Sequence, residues 1–391
     1  MLDTLLYGFI CIAFCYTLNP LYVDSQRVGL GVDRFNLYVK NLKTGKLIEK
    51  FEPRNIPYDS IFIQRPNGFV SFAALNWLEK HAVSLTVLDW KGNVLAQFLP
   101  EEPVSNELKI AQTQAYLDRQ RRLSIARRIV ETKLERQSQL LRSLSESYPF
   151  IGIPRIPAIA STEVLLRNHE ARFAEEYFTQ FGAVCEQFGF RFRGRRSDRR
   201  NNMNAADLVN GLLNYGYGFL KTYVRRSLNS VGLDNTIPFI HELRNNRGLV
   251  FDMMELWRTN VDYSVLLCLA QLRRERITHR LTDEYAVLLD PETIKILFDK
   301  LKLKLNLSLE ELIFNCRVLA KHILGQKERL EFVLRPVRTG TLSESARVQE
   351  AILSKSASQL GMNKSTLWYM KKRLERTGSV RLYNKTKPHF L

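Results

Sequence analysis

The chain has 391 residues, 45% of them hydrophobic, with 58 Lys and Arg set against 40 Asp and Glu, a formal net charge of +18. That length holds two or three domains with apolar cores, and the positive surplus points to a polyanionic partner, nucleic acid ahead of an acidic membrane surface. The cysteines, Cys11, Cys15, Cys185, Cys268 and Cys316, are odd in number and scattered without a Cys-x-x-Cys pair, which excludes a disulfide framework or a zinc finger and suits a reducing cytoplasm.

Residues 4–23 carry no charge, but Gly8, Asn19 and Pro20 interrupt the run and Asp3 is the only early charge. A spanning helix needs about 20 predominantly apolar residues, and a signal peptide wants a basic start. Residues 1–20 are therefore read as an apolar N-terminal extension, with no membrane expected and a cytoplasmic location. Residues 21–103 read as a β-rich domain. Strands at 35–39 and 47–51 flank the turn Lys43-Thr44-Gly45-Lys46, a strand at 60–64 precedes Pro66-Asn67-Gly68, and strands at 84–88 and 94–99 flank Lys91-Gly92-Asn93. Between them, residues 71–81 have a helical rhythm, with Ser71 as cap and Ala74, Leu75 and Leu78 on one side. Nothing here looks catalytic, and the expected role is structural or a subunit contact.

After a polar joint at 100–103 the pattern turns helical, and residues 104–338 are expected to form a large all-helical domain. Residues 106–144, nearly free of Gly and Pro, predict one or two long helices. Their arginines, Arg122 among them, either track a phosphate backbone or form a solvated face. Ser161-Thr162-Glu163 opens a further helix, on which Glu170 shares nearly one side with the apolar Phe173 and Tyr177. A carboxylate aimed at a core needs a cation or a metal as partner; His169 lies further round the helix. The stretch 191–202 carries Arg191, Arg193, Arg195, Arg196, Arg199 and Arg200 against one aspartate. Guanidinium forks bind phosphate oxygens, so this loop is a candidate DNA-backbone contact. A helix then spans 204–231, with a core stripe of Leu208, Leu212, Tyr215, Phe219 and Tyr223 and with Tyr217, Lys221 and Arg225 on neighbouring faces.

Residues 237–258 run from an apolar segment ending at His241, through a basic loop with Arg244 and Arg247, into a helix carrying Asp252 and Glu255. Carboxylates three apart share a helix face, and one imidazole with two carboxylates suits Mn²⁺ or Mg²⁺. On spacing alone, the same two acids could equally be the solvated start of a helix. Further helices are expected at 261–273 and 307–324, with a strand followed by a helix across 282–302. In the tail, 339–391, residues 348–360, the turn Gly361-Met362-Asn363 and residues 364–377 fit a helix-turn-helix, with Ala357, Gly361, Leu367 and Met370 at its packing positions. Lys364, Ser365, Thr366, Lys371 and Lys372 are its candidate DNA contacts; a helical hairpin for protein contacts is the alternative.

Several of these segments together resemble the CRISPR-associated adaptation integrase, the larger subunit of the complex that captures new spacers, and the homologous casposon integrases. The resemblance is carried by Asn168-His169-Glu170-Ala171 with Tyr177-Phe178, Asn214-Tyr215-Gly216-Tyr217, Val224-Arg225-Arg226, Gly232-Leu233-Asp234, Phe239-Ile240-His241, and Leu249-Val250-Phe251-Asp252-Met253-Met254-Glu255 with Val261-Asp262. These motifs occur in the family's order, within residues 21–335. The resemblance implies an α+β multidomain protein with metal ligands Glu170, His241 and Glu255, Asp252 in support, and Mg²⁺ or Mn²⁺ as cofactor. It also implies a homodimer through the β domain and, in CRISPR adaptation, a small second protein bridging two dimers. The apolar extension lies outside the family pattern. A helix-turn-helix tail belongs to casposon integrases and to some archaeal adaptation integrases.

The expected activity is that of a metal-dependent DNA endonuclease and integrase, joining DNA 3′-hydroxyl ends to double-stranded target DNA by transesterification in CRISPR spacer acquisition. Casposon transposition with the same site is the second reading. A non-catalytic helix-turn-helix DNA-binding regulator is the third.

Overall fold

The structure is a computed structural model that describes residues 19–336 apart from 26, 65–66, 101–104, 157–161, 193–204, 206, 242, 244–246, 276–279, 282–286 and 305–308. The apolar extension up to residue 18, the arginines from Arg193 to Arg200, Arg244 and the tail expected to form a helix-turn-helix, with Lys364, Ser365, Thr366, Lys371 and Lys372, therefore lie outside the described residues.

The N-terminal domain runs β1 (Pro20–Asp24), β2 (Val28–Asp33), β3 (Asn36–Asn41), β4 (Leu47–Phe51), β5 (Ser60–Gln64), β6 (Gly68–Val70), α1 (Phe72–Lys80), β7 (Ser84–Leu88) and β8 (Val94–Phe98). Two four-stranded sheets result, ordered β1-β5-β7-β8 and β4-β3-β2-β6. Strand β5 lies parallel to both β1 and β7, and α1 supplies the crossover that parallel strands require. As the sequence indicates, the Ser71 hydroxyl caps α1 by accepting from the Ala74 N–H. Asp89 closes the β7–β8 turn by accepting from the N–H groups of Lys91 and Asn93, both at 2.8 Å.

Strand β5 is buried along its whole length. Ile61 and Ile63 belong to the core of the β domain with Leu30, Leu37, Val39 and Trp77. Phe62 points the other way, into the helical body, where it stacks on Phe219 with ring centroids 5.2 Å apart and meets Phe298 edge-on at 5.5 Å. The alternation of a strand thus places one side chain set in each core. The same strand's polar ends are satisfied by helical tyrosines: Ser60 shares a 2.6 Å hydrogen bond with Tyr223, and Gln64 donates to Tyr215.

The helical body comprises α2 (Asn106–Leu117), α3 (Arg119–Ser145), α4 (Glu163–Gln187), α5 (Leu208–Val231), α6 (Gly248–Met254), α7 (Arg258–Glu275), α8 (Pro291–Lys304) and α9 (Leu309–Ile323). The run predicted as one or two helices is two, because Asp118 breaks it and caps α3 by accepting from the N–H groups of Gln120 and Arg121. Helix α5 is the buried axis, with α6, α7, α8 and α9 packed around it. It ends at Gly232, whose φ of +84° is a left-handed conformation that glycine adopts at little cost. Glycine is also required at Gly218, where a Cβ would lie 2.1 Å from the Gly92 carbonyl oxygen of the β7–β8 turn. The expectation of an all-helical middle needs one correction: β9 (Arg280–Leu281) and β10 (Val287–Leu288) form a short antiparallel pair there, β10 within the 282–302 stretch expected to hold a strand before a helix and β9 just ahead of it. Such two-residue segments are too short to show a period in sequence. Among the described residues, no helix is long and apolar enough to cross a membrane.

Because Phe62 is fully buried in the helical core, Phe62→Ala is expected to destabilise the protein by about 3–5 kcal/mol. Leu117→Ala, at a residue 74% exposed, should stay within about 0.5 kcal/mol of wild type. Urea unfolding followed by far-UV circular dichroism checks both.

Candidate active site and its basic surround

The site is built where α3, α4, α6 and α7 converge. Helix α6 is short and almost wholly buried, and it begins at Gly248, where a Cβ would press 2.7 Å against the Pro238 ring. One turn on, Asp252 is fully buried. Its Oδ2 accepts from the backbone N–H groups of Phe239 and, at 3.0 Å, Ile240. Its Oδ1 accepts from the His241 N–H at 3.2 Å and pairs with the His241 ring Nδ1 at 2.6 Å. Four contacts from one tripeptide saturate this carboxylate, so it acts as the peg on which the His241 segment hangs. With Nδ1 committed to Asp252, Nε2 is the ring nitrogen left to serve as a ligand.

Glu255 closes α6 and points elsewhere. Its Oε2 lies 2.8 Å from the Lys133 ammonium of α3, and its Oε1 lies 2.9 Å from the Arg258 guanidinium of α7. The same Lys133 ammonium also binds Glu170 of α4. Burial alone would raise the Glu255 carboxyl, yet Arg258 and then Lys133 hold it below the usual carboxylate range. Burial would likewise lower the Lys133 ammonium, but Glu255 and Glu170 outweigh it and hold the group above its usual value. Around this core, Arg258 lies over the Tyr217 ring at 4.8 Å. The Tyr217 and Tyr177 hydroxyls donate to buried Asp262 at 2.6 and 2.7 Å.

Two readings of the sequence change here. Asp252 and Glu255 are not a solvated helix start, since both are buried. Nor do the two acids, expected on one helix face, act on the same partner: Asp252 is consumed by the His241 segment while Glu255 meets Glu170 across Lys133. Glu170 does have the partner that a core-facing carboxylate requires, and that partner is a lysine. Among the described residues, no three His, Cys, Asp or Glu side chains stand close enough as placed to grip one ion. The donor chemistry still fits a hard divalent cation: two carboxylates from different helices already enclose one positive charge, beside an imidazole whose other nitrogen is fixed.

Sequence reasoning missed Lys133, Arg258 and the support that Asp262 gives Tyr217. Lys133 had a readable signal, since it falls four residues after Ile129 and seven before Leu140 on the buried stripe of α3, where a lysine needs an acid. Of the candidate DNA contacts, Arg191 is exposed at the end of the described segment following α4. Lys221, Arg225 and Arg247 form one cationic group: burial, then Arg247 and Arg225, push the Lys221 ammonium down to about 8, and its Nζ sits 5.1 Å over the Phe251 ring. A cavity of about 250 Å³ opens beside His241, lined by Tyr116, Arg122, Arg167, Phe239, Ile240 and Leu243 as well. Arg167 donates to the Ile240 carbonyl at 3.1 Å, and Arg122 stacks on Tyr116 at 5.0 Å.

Replacing the peg should be costly. Asp252→Ala strands three backbone N–H groups, each worth about 1–3 kcal/mol when buried unpaired, so a loss of at least about 3 kcal/mol is expected, measured by denaturant unfolding.

Comparison with known proteins agrees with this architecture. The family model described as CRISPR associated protein Cas1 matches residues 21–302. CRISPR-associated endonuclease Cas1 1 of Pyrobaculum aerophilum is 31% identical over 259 residues, 62% of this chain and 80% of that protein. CRISPR-associated endonuclease Cas1 3 of Thermus thermophilus is 28% identical over 281 residues, 68% and 82% of the respective chains. A solved casposase bound to integration product superposes with a TM-score of 0.76 and 27% identity over 86% of this chain and 99% of the other. The match runs through both the β domain and the helical body, and the chain therefore belongs to the Cas1 family, with the nuclease–integrase fold of proteins that cut or integrate DNA.

Proposed function

We propose that the protein is a metal-dependent DNA endonuclease and integrase that joins DNA 3′-hydroxyl ends to target DNA by transesterification, in CRISPR spacer acquisition. The observation that supports this most directly is the gathering of Glu170 and Glu255, from separate helices, on one cation beside an imidazole pinned by Asp252. Glu170, Glu255 and His241 would hold Mg²⁺ or Mn²⁺, which polarises a phosphodiester and promotes deprotonation of an attacking hydroxyl. Asp252 orients the His241 ring, and Arg258 steadies Glu255. Lys221, Arg225 and Arg247 seat backbone phosphates, and the Arg122–Arg167 cavity takes the nucleotide next to His241. No serine or cysteine nucleophile is needed, and among the described residues the free cysteines are buried.

A second reading, casposon transposition through the same site, is favoured by the likeness to a casposase over 86% of this chain. The helix-turn-helix segment, with Lys364, Ser365, Thr366, Lys371 and Lys372, would then recognise element ends or target DNA, as would the arginine loop through Arg193, Arg195, Arg196, Arg199 and Arg200. In either setting the protein acts as a homodimer, a reading supported by exposed Phe35, Phe69 and Phe72 on and beside the β4-β3-β2-β6 sheet. A small second adaptation protein bridging two dimers belongs to the CRISPR reading alone.

A labelled duplex with free 3′-hydroxyls and a supercoiled plasmid test the activity. Joining is expected with Mn²⁺, none with EDTA, and a loss of about 10³-fold or more in His241→Ala, Glu170→Ala and Glu255→Ala; junction sequences then separate a repeat-leader target from a casposon site. Binding without joining under any metal would leave the regulator reading.

The Lys221 ammonium adds a pH dependence. Its value near 8 lies below the ordinary lysine value of 10.5, so its contribution to folding stability is fully present above that ordinary value and is lost as pH falls through about 8. At lower pH the crowded charge is what a phosphate compensates. DNA affinity is therefore expected to fall as pH rises through about 8, while Lys221→Arg flattens the profile. Fluorescence anisotropy with a labelled duplex checks both.

A further inference from the structure

The position of Lys133 is not explained by DNA contact, because its side chain is only 10% exposed and faces inward. Its ammonium bridges an oxygen of Glu170 and Oε2 of Glu255, while Arg258 holds the other Glu255 oxygen at 2.9 Å. These are the oxygens that a divalent ion would take in the reading above, on which this inference rests. A monovalent and a divalent cation cannot share the same two oxygens at contact distance, since their repulsion in a buried site is large. Without any cation there, the buried Glu255 carboxylate and the half-buried Glu170 carboxylate would face each other as like charges. A lysine meets both demands: its compact charge fits between two acids, and its flexible stem can withdraw.

We propose that Lys133 is a built-in competitor for the metal position: it holds Glu170 and Glu255 together, must release both for an ion to bind, and thereby sets the ion affinity of the site. Arg258, which reaches only Glu255, stays in place and keeps that carboxylate oriented throughout.

The test is the Mn²⁺ affinity of the full chain at one fixed pH, measured by isothermal titration and by electron paramagnetic resonance of free Mn²⁺, for wild type, Lys133→Met, Lys133→Gln and His241→Ala. Both Lys133 variants are expected to bind Mn²⁺ at least about tenfold more tightly than wild type. Their melting temperatures should be lower in EDTA and rise further on adding Mn²⁺. The two replacements differ in polarity, so either one that folds gives the answer. Affinity in the Lys133 variants that is weaker than, equal to or only slightly above wild type, with binding lost in His241→Ala, overturns the competitor and leaves the metal reading standing. No specific Mn²⁺ binding in wild type or in either Lys133 variant, or binding unaffected by His241→Ala, overturns both. A purely structural ion pair would lower the melting temperature without tightening metal binding.

Discussion

Charge inside a helical bundle is tolerable only when each charged group meets its opposite at hydrogen-bond distance, and that constraint shapes this molecule more than any other. Lys133, Glu170, Glu255 and Arg258 alternate in sign across four helices. Removing one partner of such a set strands the rest. The helices that supply them must therefore be fixed in register, and contacts between helices help to provide this: the Tyr177 hydroxyl of α4 and the Tyr217 hydroxyl of α5 both donate to Asp262 of α7. Chemistry and packing are tied together because the charged set cannot exist without the apolar shell.

The His241 segment shows the same logic in the backbone. Three successive N–H groups outside any regular element need acceptors, and Asp252 supplies both oxygens to them. A loop that could otherwise shift is thereby locked to a helix, and the imidazole is locked with it. The precise placement of this imidazole comes from a neighbour that touches nothing but protein.

How much of this could be read in the sequence follows from range. The strands β3, β4, β5, β7 and β8, the Ser71 cap and the helical stripes are local patterns, and they appear within a few residues of where periodicity places them, whereas β1, the glycine-interrupted β2 and the three-residue β6 carry too little pattern to be placed. His241, Asp252 and Glu255 stood out because they lie close together in the chain. Glu170 was visible through its position next to core aromatics. What remained hidden depends on contacts between distant segments: the pairing of Glu170 with Glu255, the division of labour between Asp252 and Glu255, and the double burial of β5. Lys133 is the instructive case, because its place on a buried stripe was legible, but only the fold could say which acids it answers.

That double burial of β5 has a mechanical meaning. A domain joined by a linker swings, whereas one whose central strand donates Phe62 to its neighbour's core and receives Tyr215 and Tyr223 in return moves with that neighbour as one piece. If two copies meet through the outer β4-β3-β2-β6 sheet, the separation and orientation of their two candidate sites are set by a stiff frame. Such a frame works as a caliper: the span between the two sites would be fixed by protein geometry.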